Sequence, residues 1–455
     1  MPAEPWPLAV VGGGATAAWL LLLLRHEIGR LPPTIVLDPV PRLGLGLAYG
    51  TRRDEHRLNV TADKMDMHPL PGVISFVDWL AVQTGEGPSD HVSRHLYARY
   101  LDQLIADHLR GEPIVHRHRR AVAIRRQDGA FTISLDDGDR IAARRVVLAI
   151  GNPRSRPLGA SPHARIVEEP FGPWPDLAEP RDVLVAGAGL TAIDAILEAD
   201  HRWPGVRFTV VAPHAFFPPA DRTVEPSPFD LPRPCPSPSE LWRWAKRQRS
   251  ASTQLASWFA PVDALRPHTT TIWQAWTARE RSVFLRHAAR YWLHLRHRAA
   301  PQAAERMAEL EADGRLAFVR GRAVLDGRPE NLIDVTIGER RLTFDLAINA
   351  IGPDLNPRGE PLLATLADDG LVSPDPLGLG IRADLDGTVL DAQGTRVERL
   401  QALGVWTRGA RWEVVAIPHI REAIRAALAA DHWRTISVAA ALASDTSGSN
   451  RMNTL

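Results

Sequence analysis

One cysteine stands in the 455 residues, Cys235. A lone thiol can neither frame a fold with internal disulfides nor act as a redox-active pair, so disulfide scaffolds and dithiol reductases drop out together. Charge of either sign is not in excess: 54 Lys and Arg against 53 Asp and Glu give a formal net charge of +1. No global field therefore recruits nucleic acid or an acidic membrane surface. Long apolar runs are missing too, since Leu20 to Leu24 is too short to span a bilayer. With no targeting segment visible, a cytoplasmic location is expected. Nothing in the chain spells a nucleophilic triad or a paired-carboxylate motif. His294 and His297 lie three apart without an acid or third ligand nearby in sequence, and no metal site is expected.

What the chain does have is two glycine-rich turns, each set between a β-branched strand and a helix. The first follows Leu8 to Val11 and reads Gly12-Gly13-Gly14-Ala15-Thr16-Ala17; the second follows Val183 to Ala186 and reads Gly187-Ala188-Gly189-Leu190-Thr191-Ala192. Small residues are needed at Gly12, Gly14 and Ala17, and again at Gly187, Gly189 and Ala192. The turn must be tight, the backbone must approach a pyrophosphate, and the helix must pack closely on its strand. Free N–H groups and the dipole at the helix start then hold the anion. Asp38 closes the strand Thr34 to Leu37 where an acid takes a ribose hydroxyl, which suits an adenosine dinucleotide lacking a 2′-phosphate. After the second turn the strand 207 to 211 runs into Ala212-Pro213-His214 without an acid. That leaves NADH and NADPH both open, with Arg222 or the basic helix described below as candidates for a 2′-phosphate.

The predicted fold class is α/β, with two Rossmann-like dinucleotide-binding domains and a helical insertion. Residues 1–160 form the first part of one domain, 178–345 the second domain, 346–443 the rest of the first, and 444–455 a disordered tail. Residues 114 to 149 alternate as paired strands do, with turns at Asp128-Gly129 and Asp136-Asp137-Gly138, and end in the apolar strand before Gly151. The same pattern recurs before Gly352, which suggests duplication. Two segments interrupt the second unit. Residues 213–238 hold nine prolines and read either as a surface linker or as an ordered loop over a site. Residues 239–312 are helical and rich in Trp and Arg. Arg286, His287, Arg290, His294, His297 and Arg298 are expected to give one basic surface, solvated or ligand-binding. The tryptophans at 242, 244, 258, 273, 276 and 292 read as helical core or as a partner interface.

The segments GGGATA (12–17), GLGLAYG (44–50), HRLNV (56–60), GAGLTAID (187–194), LRPHT (265–269), FLRH (284–287), DPLGLG (375–380) and TRGARWEVVAIPHIREA (407–423) together resemble one family. It is the FAD/NAD(P)-binding flavoproteins grouped with L-aspartate N-monooxygenases, and the resemblance covers nearly the whole chain. It implies FAD in the first domain, completed by the C-terminal segment, and NADPH or NADH in the second. Carried over, Gly12, Gly14 and Ala17 would hold the FAD pyrophosphate and Asp38 the ribose, with Gly46 to Tyr49, Asn59 and Val60 along the flavin. Gly151 and Gly352 match the strand-end glycines of such enzymes, though isoleucine replaces threonine before each. The usual Gly-Asp pair before the last FAD helix is absent, and Arg408 or Glu413 would contact FAD there.

The function so implied is an FAD-dependent, NAD(P)H-reduced monooxygenase that N-hydroxylates a small amine or amino acid through a hydroperoxyflavin. Its partners would be a small-molecule substrate and O₂, with no nucleic acid and no membrane; the oligomeric state stays open, a homo-oligomer included. Two alternatives stand beside it. One is an NAD(P)H:acceptor oxidoreductase or amine oxidase without oxygen transfer, and the other is a non-catalytic nucleotide-binding protein.

Overall fold

The computed structural model describes residues 4–67, 70–159, 164–174, 176, 179–214, 216–249, 255–326, 332–430 and 433. The expected disordered tail at 444–455 lies outside them.

Strands β1 (Leu8–Val11), β2 (Thr34–Leu37) and β3 (Ile114–Arg117) run parallel, with β2 between the other two. The antiparallel meander β4 (Ala121–Gln127), β5 (Ala130–Leu135) and β6 (Arg140–Ala143) follows, and β7 (Val146–Leu148) returns to pair with β1. Residues 114 to 117 are therefore not part of a hairpin, as their alternation suggested, but the edge of the parallel sheet. Helix α1 (Ala15–Ile28) buries its whole run Ala17 to Leu24. It reads as apolar all round because α2 (Arg94–His108) and the helix Ile417–Ala429 cover its other sides. Successive residues of β1 feed opposite layers: Leu8 and Val10 face α1, whereas Ala9 and Val11 face the meander.

The second sheet is wholly parallel. Its strands are β8 (Ile166–Val167), β9 (Asp182–Ala186), β10 (Arg207–Ala212), β11 (Leu316–Arg320) and β15 (Leu346–Asn349), in the order β11-β10-β9-β15-β8. Helix α3 (Leu190–Arg202) lies on it, and β12 (Ala323–Asp326), β13 (Ile333–Ile337) and β14 (Arg340–Phe344) form its own antiparallel meander. The boundary expected at 346 needs correction, because Leu346 to Asn349 pair with Val183 to Ala186 and so belong to the second unit. The chain rejoins the first sheet only through β16 (Thr388–Leu390) and β17 (Arg396–Ala402), the latter parallel to β7.

Between β10 and β11 the chain makes an excursion pinned at its base. Ala220 and Ala299 bridge, with Ala299 N–H donating to Pro219 O at 2.9 Å and Asp221 N–H to Ala299 O at 2.7 Å. Within it lie α4 (Pro238–Gln248), α5 (Phe259–Leu265), α6 (Thr269–Ala275), α7 (Ala278–His287) and α8 (Ala289–Arg296). Their apolar faces pack not on the second unit but on the first, where Trp273, Trp276 and Phe284 meet Trp406, Trp412 and Val414. Tryptophan here is chiefly core, and Trp273 is 1% exposed. Helix α9 (Pro301–Ala312) returns to the second unit's core. The predicted single basic surface does not form. Arg298 is buried between Asp221 and Asp263, and His294 and His297 are largely buried, so only Arg286, His287 and Arg290 of that set are exposed. No helix among the described residues is long and apolar enough to cross a membrane.

Candidate active site between the two glycine turns

The two turns are built alike. Gly12 has φ +100° and Gly187 φ +110°, a region that favours glycine. A Cβ on Gly12 would sit 2.2 Å from Ala149 O, and one on Gly187 would sit 2.1 Å from Ala350 O. Each glycine thus lets its turn cross the end of the neighbouring strand, β7 or β15, and a side chain at either would push the strands apart. Gly14 and Gly189 occupy the N-cap positions of α1 and α3 and offer no side-chain cap. The first N–H groups of both helices are left to an outside acceptor, and an anion is the natural one. Asp38 accepts from Gly13 N–H and from Val40 N–H, the latter at 2.7 Å, so it braces the first turn while keeping lone pairs for a further donor. Gly46 closes over Gly14: a Cβ on Gly14 would meet its Cα at 3.6 Å. Ala17 and Ala192 are buried where helix meets strand. These residues fit a dinucleotide pyrophosphate at both turns.

A cavity of about 1030 Å³ lies between the units. Of the residues expected in the site, Tyr49, Asn59, Val60 and Gly352 line it, as do Asn152 beside Gly151 and Leu190 and Thr191 beside Gly189. Tyr49 packs on Tyr97 with ring centroids 4.9 Å apart, and burial raises its hydroxyl well above the ordinary range. Gly151 (φ +74°) and Gly352 (φ +96°) start the two crossings between units, which pair with each other: Ser155 bridges Pro353, and Asp354 N–H donates to Arg154 O at 2.9 Å. Arg408 is not in the lining; its guanidinium packs over Trp412 at 4.1 Å. Glu413 is buried and accepts from Trp292 Nε1 at 2.7 Å.

Several polar groups of the site had no local signature in sequence. Arg94, at the start of α2, pairs with Asp194 of α3 at 2.8 Å, and His56 Nε2 lies 3.0 Å from Asp194 O. Arg53 reaches Glu198 of the same helix at 2.9 Å. Burial alone would raise the Glu198 carboxyl, but hydrogen bonds from Arg53 and Arg202 outweigh it and hold it below its ordinary value. One face of α3 is thus tied to the first unit by buried ion pairs. Opposite, Arg296 of α8 and His297 line the cavity together with His419 from the helix Ile417–Ala429. Arg296 sits 3.6 Å from Glu413, and burial lowers its pKa to about 10. Burial, aided by the charge of Arg296, lowers His297 to about 4. His419 also falls to about 4, again chiefly by burial and against the pull of Glu413. Both imidazoles are therefore neutral at pH 7. The segment containing His419 was noticed as part of a family pattern, but nothing in its spacing pointed to Arg296.

Residues 9–153 match the sequence model of a family described as FAD-NAD(P)-binding. Comparison with curated proteins gives no match. Among solved structures the chain is similar to the ornithine N-hydroxylase of Kutzneria sp. 744, described with reduced FAD, NADP⁺ and L-ornithine, at 15% identity and TM-score 0.64, covering 93% of this chain and 99% of that one. It is similar to L-lysine 6-monooxygenase from Pseudomonas syringae at 16% identity and TM-score 0.64, covering 95% and 99%. The bacillithiol disulfide reductase of Bacillus cereus follows at 14% identity and TM-score 0.55, covering 96% and 99%. The chain thus matches the FAD-NAD(P)-binding model over residues 9–153 and shares its overall fold with these solved oxidoreductases.

Proposed function

We propose that the protein is an FAD-dependent, NAD(P)H-reduced monooxygenase that converts a small primary amine or amino acid into its hydroxylamine. The observation that carries this reading is the pair of matched glycine cradles together with a cavity between the units, walled by Tyr49, Asn59 and Val60 of the first, by Leu190 and Thr191 of the second turn, and by the helical excursion. FAD, when bound, supplies the redox chemistry, taking a hydride from the nicotinamide and passing electrons to O₂. In the overall balance one oxygen atom enters the new N–O bond and the other leaves as water. NAD(P)H provides two electrons and one proton, and solvent provides the second proton.

The chain's own residues bind, orient and exclude. The turn at Gly12 to Ala17 holds the FAD pyrophosphate with Asp38 at the ribose, and Tyr49, Asn59 and Val60 wall the flavin region. The turn at Gly187 to Ala192 holds the reductant. No acid ends β10, while Arg320 at the end of β11 pairs in register with Ala212 and is exposed with no acidic partner among the described residues. That arrangement favours a 2′-phosphate and hence NADPH. The neutral imidazoles of His297 and His419 suit an amine that must keep its lone pair free, since neither donates a proton readily at pH 7. The single cysteine, Cys235, gives this chain no internal thiol pair for dithiol redox chemistry.

The test is direct. Purified protein is extracted for flavin, and NADPH and NADH oxidation is followed with a panel of amino acids and amines. Oxygen-18 from O₂ should appear in a hydroxylamine product. Turnover that forms only hydrogen peroxide or an imine across the panel would reject oxygen transfer.

A further inference from the structure

Behind the polar cavity lies a second space of a different character. It is a cavity of about 100 Å³ walled by Trp242, Trp258, Trp273, Trp276, Trp292 and Trp412, with aliphatic carbons of Val262, Leu265, Ile272 and Leu295 between them. The same three helices divide the two spaces. On α5, Leu265 faces the apolar cavity and Asp263 the polar one; on α6 the split is Ile272 against Thr271, and on α8 it is Leu295 against Arg296. Thr269 borders both. At the outer end Trp242 and Tyr291 are each 42% exposed, so the space reaches from the surface to the wall of the site.

Water is a poor tenant for it. The indole N–H groups of Trp273, Trp276 and Trp292 are spent on Gly409 O, Pro236 O and Glu413 Oε1, at 2.7, 2.9 and 2.7 Å. Thr269 Oγ1 donates to Arg266 O at 3.1 Å. Of the six indoles that wall this cavity, only that of Trp412 has an Nε1 buried without a partner. An ordered water wants two to four polar partners, whereas dry apolar cavities take up apolar guests such as xenon.

We propose that this tryptophan-walled cavity is a holding and access site for molecular oxygen, which passes to the polar cavity beside Thr269. The inference rests on the monooxygenase reading, since only an oxygen-consuming reaction gives the cavity this use. O₂ is small, uncharged and apolar, and it partitions into such a space while the charged reductant and a polar amine do not. The geometry also separates traffic: gas arrives through the helical excursion, and the polar reactants arrive between the units.

The test uses the whole FAD-loaded protein and xenon as the probe. Under xenon pressure, anomalous diffraction or ¹²⁹Xe exchange should place xenon among these tryptophans. Ala288→Leu, from one wall, and Ala245→Leu, from another, fill the space; each should expel xenon. With wild-type flavin content confirming folding, each should raise KM for O₂ by roughly threefold or more, as expected when a dry apolar reservoir is filled, while KM for amine and reductant stay put. Xenon absent from the wild-type cavity overturns the proposal, and so does an unchanged KM for O₂ in a filled variant. A rise in KM for the amine instead would make the space a pocket for the substrate's apolar end. A protein that takes up xenon there but consumes no oxygen refutes the monooxygenase reading and, with it, the gas route.

Discussion

Two buried imidazoles give the fold a specific weakness to acid. His297 and His419 ordinarily titrate at 6.5 and are lowered to about 4 in the folded chain. A folded pKa below the unfolded one means that the unfolded chain takes the proton first. Stability is therefore full above pH 6.5 and falls as pH drops from there towards 4. At pH 5 an unfolded imidazole is almost wholly protonated while the folded one is almost wholly neutral, a difference of about 2 kcal/mol per ring. At pH 7 the same difference is well under about 1 kcal/mol. Together the pair should cost the folded state about 3 to 4 kcal/mol between pH 7 and pH 5, before any other group contributes. Urea unfolding at both pH values, on wild type and on the double variant His297→Gln, His419→Gln, measures it. The variant should start less stable at pH 7 and lose about 3 to 4 kcal/mol less than wild type on acidification. An identical loss in both proteins would refute the reasoning and mean that the rings are solvated or already charged at neutral pH.

Gly14→Trp should abolish FAD retention by filling the space over α1, and Gly189→Trp should leave the protein yellow yet unreduced by NADPH while dithionite still bleaches it; flavin spectra distinguish the two, and normal flavin content or normal reduction would misplace the respective site. Arg320→Ala should raise KM for NADPH about tenfold, the worth of roughly one lost charge-assisted contact, and leave KM for NADH unchanged; equal effects on both would remove Arg320 from the 2′-phosphate site. Arg298→Met leaves Asp221 and Asp263 buried without their shared cation, and should cost about 3 to 5 kcal/mol in chemical unfolding; a cost under about 1 kcal/mol would mean that the acids are solvated.

The parts legible in the sequence are those whose chemistry is local. A glycine turn between a strand and a helix is one continuous stretch, so both cradles and Asp38 could be found by spacing. The meander β4 to β6 announced itself through Asp128-Gly129 and Asp136 to Gly138, but Ile114 to Arg117 has the same alternation and belongs elsewhere, since partner choice depends on β2 and not on its own pattern. The ion pairs Arg94–Asp194 and Arg53–Glu198 join residues about a hundred or more positions apart. Either acid, read alone, is an ordinary residue of an amphipathic helix. The expected basic surface failed because helical spacing predicts which residues share a face, not which face meets Asp221 and Asp263.

The excursion pinned at Ala220 and Ala299 grows from the second unit yet rests on the first, and Asp221 at its base pairs with both Arg298 and His91. With the paired crossings at Ser155 and Pro353 and the ion pairs of α3 with Arg94 and Arg53, the second unit is held to the first at three separate places. On the proposed function, and in the language of linkage, any change of angle between the units when the nicotinamide binds must also shift the helices that wall the cavity. The factor by which the amine alters reductant affinity must then equal the factor by which the reductant alters amine affinity. One tether so placed makes the two reactants heterotropic effectors of each other.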